Sequence, residues 1–402
     1  MLRINRVLED IKGSAIHKYD HLKGQRGYVS LTLGESDYQI PDDVYQKCKS
    51  PEMLRNGHYM PTKGLQTYRE AVSYKLKTYG LDYDPETEIM ATSGVQAGID
   101  IAMRTLIGSE KRRDSMVILP DPAYVSYMPN IKLAGGYPIR LKLRDDVIDE
   151  KTGEKNDYRV RGRDLFNVVN RYDPKYIILN YPNNPTGAIM TQKDWEDIAD
   201  ILVNNDMFLI SDEIYSDIYF GGEKHFSPAK LEGMRDRILV LNGFSKSYAM
   251  GGWRIGYAAG PVELIKEMTK LANYTSLCSS RIAQEYAIEA VYHGDKHIAT
   301  IIEDYKERRD YMVLRLNIMG LPTQSPKGAM FAFPDISSTG LTSEQLVETL
   351  VNEHKLITVP GSGFGTQGEN HLRLSFSVNR ADIVEGLDRL ENAINNTRSQ
   401  KC

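Results

Sequence analysis

Between about residue 90 and residue 260 the chain alternates short apolar, β-type runs with longer segments of helical periodicity, and this alternation limits its possible folds more than any other feature. Runs at Ser115–Leu119, Tyr176–Leu179, Phe208–Ile210, Arg237–Leu241 and Ile255–Ala259 predict strands. Val95–Leu106 and Gln192–Asn204 predict helices between them, the second with Thr191 as its N-cap. Crossovers of helical length join parallel strands, so the pattern predicts an α/β domain with a largely parallel sheet covered on both faces.

The remainder of the chain lacks that alternation. Residues 262–315 predict long helices with a break near Leu277–Ser280, and residues 320–402 predict a smaller α+β unit with strands at Met330–Phe333, Leu356–Val359 and His371–Ser377. A second domain is expected to begin between residues 290 and 320, packed against the first because no repeat or low-complexity linker separates them. The 402 residues suffice for two cores, and 41% hydrophobic with 26% charged residues is a globular, water-soluble composition. A net charge of −4 gives no electrostatic case for a nucleic-acid or membrane partner. The N-terminal MLRINRVLEDIKGS scatters charges where a signal peptide needs an apolar run, and no later segment is long and apolar enough to span a bilayer. Cys48, Cys278 and Cys402, odd in number and far apart, suit neither a disulfide framework nor a clustered zinc site. The expectation is a cytoplasmic protein without a metal.

Polar and small residues collect at the C-terminal ends of the predicted strands, where sheets of this kind bind ligands. YIILNYPNNPTG ends in a loop with Asn183, Asn184, Pro185 and Gly187; FLISDEIY ends with Asp212 and Tyr215; ILVLNGFSK ends with Ser245 and Lys246. Taken singly, each residue has a plainer reading: Asp212 as a helix N-cap, Asn184 as a turn residue before proline, Lys246 as a solvated surface lysine. Arg373, mid-strand in LRLSFS, is costly to bury without an anionic partner, which an internal Asp or Glu or a bound carboxylate would supply.

Taken together, the segments carry a resemblance. GFSKSYAMGGWRIG resembles the lysine signature of the class I aminotransferases that use pyridoxal 5′-phosphate. LTLGESDYQIP, YMPTKGLQTYREAV, TSGVQAGI, DPAYVSY, NNPTG, SDEIY and LRLSFS follow the family's order and spacing from about residue 31 to 377. The resemblance implies a large domain with a mostly parallel seven-stranded sheet, covered by helices. A smaller α+β domain is built from the N-terminal segment and the C-terminal part, with an arm at 1–45, the large domain at 46–295 and the small one at 296–402.

It also implies roles. Lys246 forms a Schiff base with the cofactor aldehyde and later moves the substrate proton. Asp212 pairs with the ring nitrogen, while Asn184 and Tyr215 bond the ring's phenolic oxygen. The backbone amides of Val95 and Gln96 at a helix start, with Ser245 and Arg254, cup the phosphate. Tyr59 reaches the phosphate from a neighbouring subunit, so a homodimer with shared active sites is implied; a buried core tyrosine is its plainer reading. Tyr124 stacks on the ring face, where many relatives carry Trp, unless it serves only core packing. Arg373 binds the substrate α-carboxylate against Gly34. One departure stands out: Gly243 occupies a position often held by Ser or Thr.

The implied activity is a ping-pong exchange of an amino group between an L-amino acid and a 2-oxo acid. A β-lyase, a cyclopropane-forming synthase or an oxidase would use the same Lys, Asp and Arg, and a regulatory domain could bind the cofactor without turnover. GFGTQG at 363–368 matches the dinucleotide template, yet a strand-like HLRLSFS follows instead of a helix, so a flexible loop near the substrate entrance is expected there. Lys63, Arg281 and Lys327 are candidate receptors for a second substrate carboxylate.

Overall fold

The computed structural model describes residues 4–49, 55–108, 112–143, 158–220 and 224–399; Cys402 lies outside them. Strand β1 (Val29–Ser30) stands apart from the next seven. These are β2 (Ile89–Thr92), β3 (Met116–Asp121), β4 (Tyr137–Lys142), β5 (Tyr176–Asn180), β6 (Phe208–Asp212), β7 (Ile238–Gly243) and β8 (Gly256–Ala259), in the order β2-β8-β7-β6-β5-β3-β4. The central pairings are parallel, and only β8 opposes its neighbours β7 and β2. The α/β reading and its mostly parallel seven-stranded sheet hold.

Successive residues of a strand face opposite sides, and both sides are apolar here. Val117, Ile178, Ile210 and Leu239 join one buried cluster, whereas Ile118, Ile177, Leu209 and Val240 join the other. Each such side chain taken from water contributes about 1.5–3 kcal/mol. The helices Val95–Leu106 and Gln192–Asn204 form as predicted, and Thr191 closes a capping box with Asp194.

Two smaller sheets follow. β1 pairs parallel with β10 (Leu356–Ile357), tying the N-terminal segment to the C-terminal part. β9 (Phe331–Ala332), β12 (Leu372–Ser375) and β11 (Val359–Pro360) form an antiparallel trio. The single strand expected at Leu356–Val359 is therefore two, divided at Thr358, each half in a different sheet. The helical region breaks where expected, with Val262–Asn273 ending before Ser280 caps Arg281–His293, and Asp295–Ile318 following. Among the described residues no helix is long and apolar enough to cross a membrane.

Candidate active site

Because β8 runs against the others, its first residue meets the last residue of β7 and of β2: Gly256 pairs with both Gly243 and Thr92. That reversal brings Arg254, just before β8, to the edge where the parallel strands end. Here lies a cavity of about 560 Å³, lined among others by Val95, Gln96, Tyr124, Asn184, Asp212, Tyr215, Ser245, Lys246, Arg254, Gly34 and Arg373. Every predicted site residue except Tyr59 is on that wall. Tyr59 is 83% exposed in the single chain and does not line the cavity.

Lys246 lies in the turn after β7, and its Nζ donates to the carbonyl oxygen of Gly34. Burial drives its amine down to about 8, with Arg254 and Arg373 adding to the depression and Glu35 and Asp212 opposing it. Asp212 ends β6 in the interior, and burial raises its carboxyl to about 6. The same carboxylate accepts from Tyr127 Oη at 2.6 Å and from the Ile214 N–H at 3.2 Å, and both bonds hold it down. The Ile214 bond is the local turn that the plainer reading of Asp212 required, but no helix begins there.

Helix Val95–Leu106 starts at the same edge with Gly94 as its N-cap and no side-chain cap. Its first N–H groups are left for a ligand. Gly94 has φ +78°, and a Cβ there would stand 2.7 Å from Arg254 Nη2, so glycine is required. Among the described residues Arg254 donates only to carbonyl oxygens, of Gly251 at 3.0 Å and Ser93 at 3.4 Å. The unusual Gly243 has a packing reason: a Cβ would come within 2.9 Å of Gly256 Cα and Ile255 O in the paired strand.

Asn184 Nδ2 donates to Tyr215 Oη at 3.5 Å, and burial raises the Tyr215 phenol far above its ordinary value. Arg373 is 1% exposed. Its Nη1 donates to Asn184 Oδ1 at 3.2 Å and its Nη2 to Thr32 O at 2.7 Å, while Nε finds no acceptor among the described residues. Phe331 and Phe364 face the guanidinium, 4.3 and 5.1 Å from its carbon, and burial lowers it to about 10. Among the described residues no carboxylate pairs with it, so none of them is the internal partner considered from the sequence.

Several residues at or behind the wall were not singled out from the sequence. Tyr127, first residue of the helix Tyr127–Leu133, supports Asp212 three positions beyond Tyr124, which it touches edge-on at 5.5 Å. Ile16, His17, Asp20 and Lys23 bring the N-terminal segment to the wall, with Asp20 bridging His17 at 2.6 Å and Lys23 at 2.5 Å. His17 and Asp20, exposed polar residues, carry no local signal. Lys63, Arg281 and Lys327 are absent from the wall.

A depressed amine, a buried carboxylate and two guanidinium groups in one cavity suit covalent amine chemistry on an anionic ligand. The family model for aminotransferase class I and II matches residues 26–390. The aromatic-amino-acid aminotransferase 2 of Thermococcus litoralis is 37% identical over 96% of this chain and 97% of its own length. An aspartate aminotransferase of Pyrococcus abyssi is 36% identical over 96% and 97%. A solved aromatic aminotransferase from Pyrococcus horikoshii superposes with a TM-score of 0.85 at 35% identity, covering 94% of this chain and 99% of that one. The chain belongs to the class I and II aminotransferases, enzymes that transfer amino groups with pyridoxal 5′-phosphate.

Proposed function

We propose that the cavity around Lys246 exchanges an amino group between an L-amino acid and a 2-oxo acid in a two-step, ping-pong cycle, in a cytoplasmic homodimer with shared active sites. The carrying observation is that one cavity holds an amine lowered to about 8 beside a buried carboxylate and Arg373. The residues present fit the cofactor: the uncapped helix start and Arg254 leave donors for a phosphate, while Arg373 Nε, without an acceptor among the described residues, remains for the substrate carboxylate. A further fit is the Gly94 cradle, which a Cβ would fill.

In this reading Val95, Gln96, Ser245 and Arg254 hold the phosphate, Asp212 faces the ring nitrogen, Asn184 and Tyr215 the phenolic oxygen, and Tyr124 the ring face. Bound there, pyridoxal 5′-phosphate supplies an electron sink for charge that develops at the substrate Cα. Lys246 anchors the cofactor through its amine, and its low proton affinity suits it to take the Cα proton near neutral pH and to return it later. Arg373 clamps the α-carboxylate, with Gly34 allowing close approach. Tyr59, exposed in the single chain, is free to complete a neighbouring subunit's phosphate site.

The chain divides accordingly into an arm at 1–45, a large domain at 46–295 and a small domain at 296–402. Relatives named for aromatic amino acids and for aspartate favour an aromatic or acidic donor. A screen of amino donors against 2-oxoglutarate and pyruvate tests this: stoichiometric new amino acid is expected, and its absence with every pair would refute the reading.

A further inference from the structure

The GFGTQG segment leads into strand β12 and not into a helix, and its geometry is that of an anion nest. The anion is internal. Asp121, the last residue of β3, is fully buried, with 0% exposure. Its Oδ2 accepts from Thr366 N at 3.2 Å and Thr366 Oγ1 at 2.8 Å, and its Oδ1 from Gln367 N at 3.1 Å. Arg140 Nη1 stands 3.1 Å from Oδ2.

The glycines follow from that closeness. A Cβ on Gly365, at φ +138°, would sit 1.9 Å from Asp121 Oδ1, and Cβ atoms on Gly361 and Gly368 would each meet the other's carbonyl oxygen at 2.1 Å. The loop therefore closes on itself and on the carboxylate, and glycine is needed at all three positions.

This clasp joins two walls of the active site without itself lining the cavity. On one side Asp121 leads through Ala123 to Tyr124, and the Ala123 N–H donates to Phe364 O at 2.9 Å. On the other, the loop carries Phe364, buried, with its ring 5.1 Å from the Arg373 guanidinium and edge-on to Phe333 at 6.4 Å. A fully desolvated carboxylate, bonded through a loop that holds an aromatic face against an arginine, fixes where that arginine can point.

We infer that Asp121 is a positioning residue for substrate recognition: by filling the glycine loop it locks Phe364 against Arg373 and sets the affinity for the substrate carboxylate, not for the cofactor. The inference rests on the proposed role of Arg373.

The test is steady-state kinetics and cofactor titration on cofactor-loaded Asp121→Ala, Thr366→Val and Phe364→Leu, with Arg373→Ala as reference. Losing charge-assisted bonds predicts that Asp121→Ala raises KM for the amino donor about tenfold, with kcat within about threefold and cofactor affinity within about twofold. Thr366→Val, which removes one hydroxyl, raises KM about threefold and keeps the inference testable should Asp121→Ala fail to fold. Combining Asp121→Ala with Phe364→Leu should be no worse than the poorer single variant. Unchanged KM in folded Asp121→Ala or Thr366→Val, additive effects in the double variant, or a parallel loss of cofactor affinity would each overturn the inference. Unchanged KM in Arg373→Ala would instead remove the reading of Arg373, so the two failures are distinct.

Discussion

Replacing Tyr127 by Phe keeps the ring and its edge contact with Tyr124 but deletes the hydroxyl that donates to Asp212 at 2.6 Å. Burial lifts the Asp212 carboxyl to about 6, and this hydrogen bond is the larger of the two that restrain the rise. A hydrogen bond to a charged group is worth about 1.5–3 kcal/mol, and one pKa unit corresponds to about 1.4 kcal/mol. Losing it moves the carboxyl up by about 1–2 units, so that at neutral pH in the cofactor-free protein Asp212 passes from mostly charged to roughly half protonated or more. The assay is a carboxyl-carbon NMR titration of protein labelled at aspartate, in wild type and in Tyr127→Phe. A midpoint that rises by less than about 0.3 units would refute the claim that Tyr127 controls this charge, since water would then have replaced the hydroxyl at no cost. In an Asp212→Asn background the same substitution should leave cofactor affinity unchanged, because the two residues act as one unit.

Gly94→Ala forces a side chain onto a positive φ and into Arg254, so cofactor affinity measured by fluorescence titration should fall about tenfold or more. Asp217→Ala strands Lys75, whose Nζ lies 3.1 Å from Asp217 Oδ2 and 2.9 Å from Tyr248 Oη in the interior beneath the Lys246 turn. Urea unfolding should show a loss of about 3–5 kcal/mol, and a loss below about 1 would mean the pair is solvated. The Lys246 amine, pushed from 10.5 to about 8, contributes stability that is present above 10.5 and lost as pH falls through 8. Lys246→Met should therefore stabilise the cofactor-free protein at pH 7 by about 1–3 kcal/mol in thermal melts, with the gain gone above about pH 10.5.

The parallel strands were legible because each is an uninterrupted apolar run buried on both faces; their observed bounds shift by only a residue or two. The edge strands were not. β2 is four residues leading straight into the Ser93-Gly94 turn, and β4, Tyr137–Lys142, mixes proline, arginine and lysine with apolar residues on a partly exposed edge. The division at Thr358 is invisible because Leu356, Ile357 and Val359 are all apolar and only their partners differ. Lys246, Asp212 and Asn184 could be found because each sits at a strand end within a dense local motif. Tyr127 was masked by Tyr124 in the same motif, and Asp121 gave no hint of its tie to Thr366 and Gln367, which lie far away in sequence. A glycine pattern shows that something approaches closely; it does not show what.

In the proposed cycle Lys246 conducts a complete amino-group transfer in two separable halves. Cofactor-loaded protein mixed with an amino acid and no 2-oxo acid acceptor should lose its visible absorbance in a single burst, releasing one 2-oxo acid per subunit and no ammonia. Adding 2-oxoglutarate or pyruvate should restore the spectrum, and Lys246→Ala should show neither phase. Continuous release of 2-oxo acid with ammonia, or full turnover by Lys246→Ala, would contradict the account.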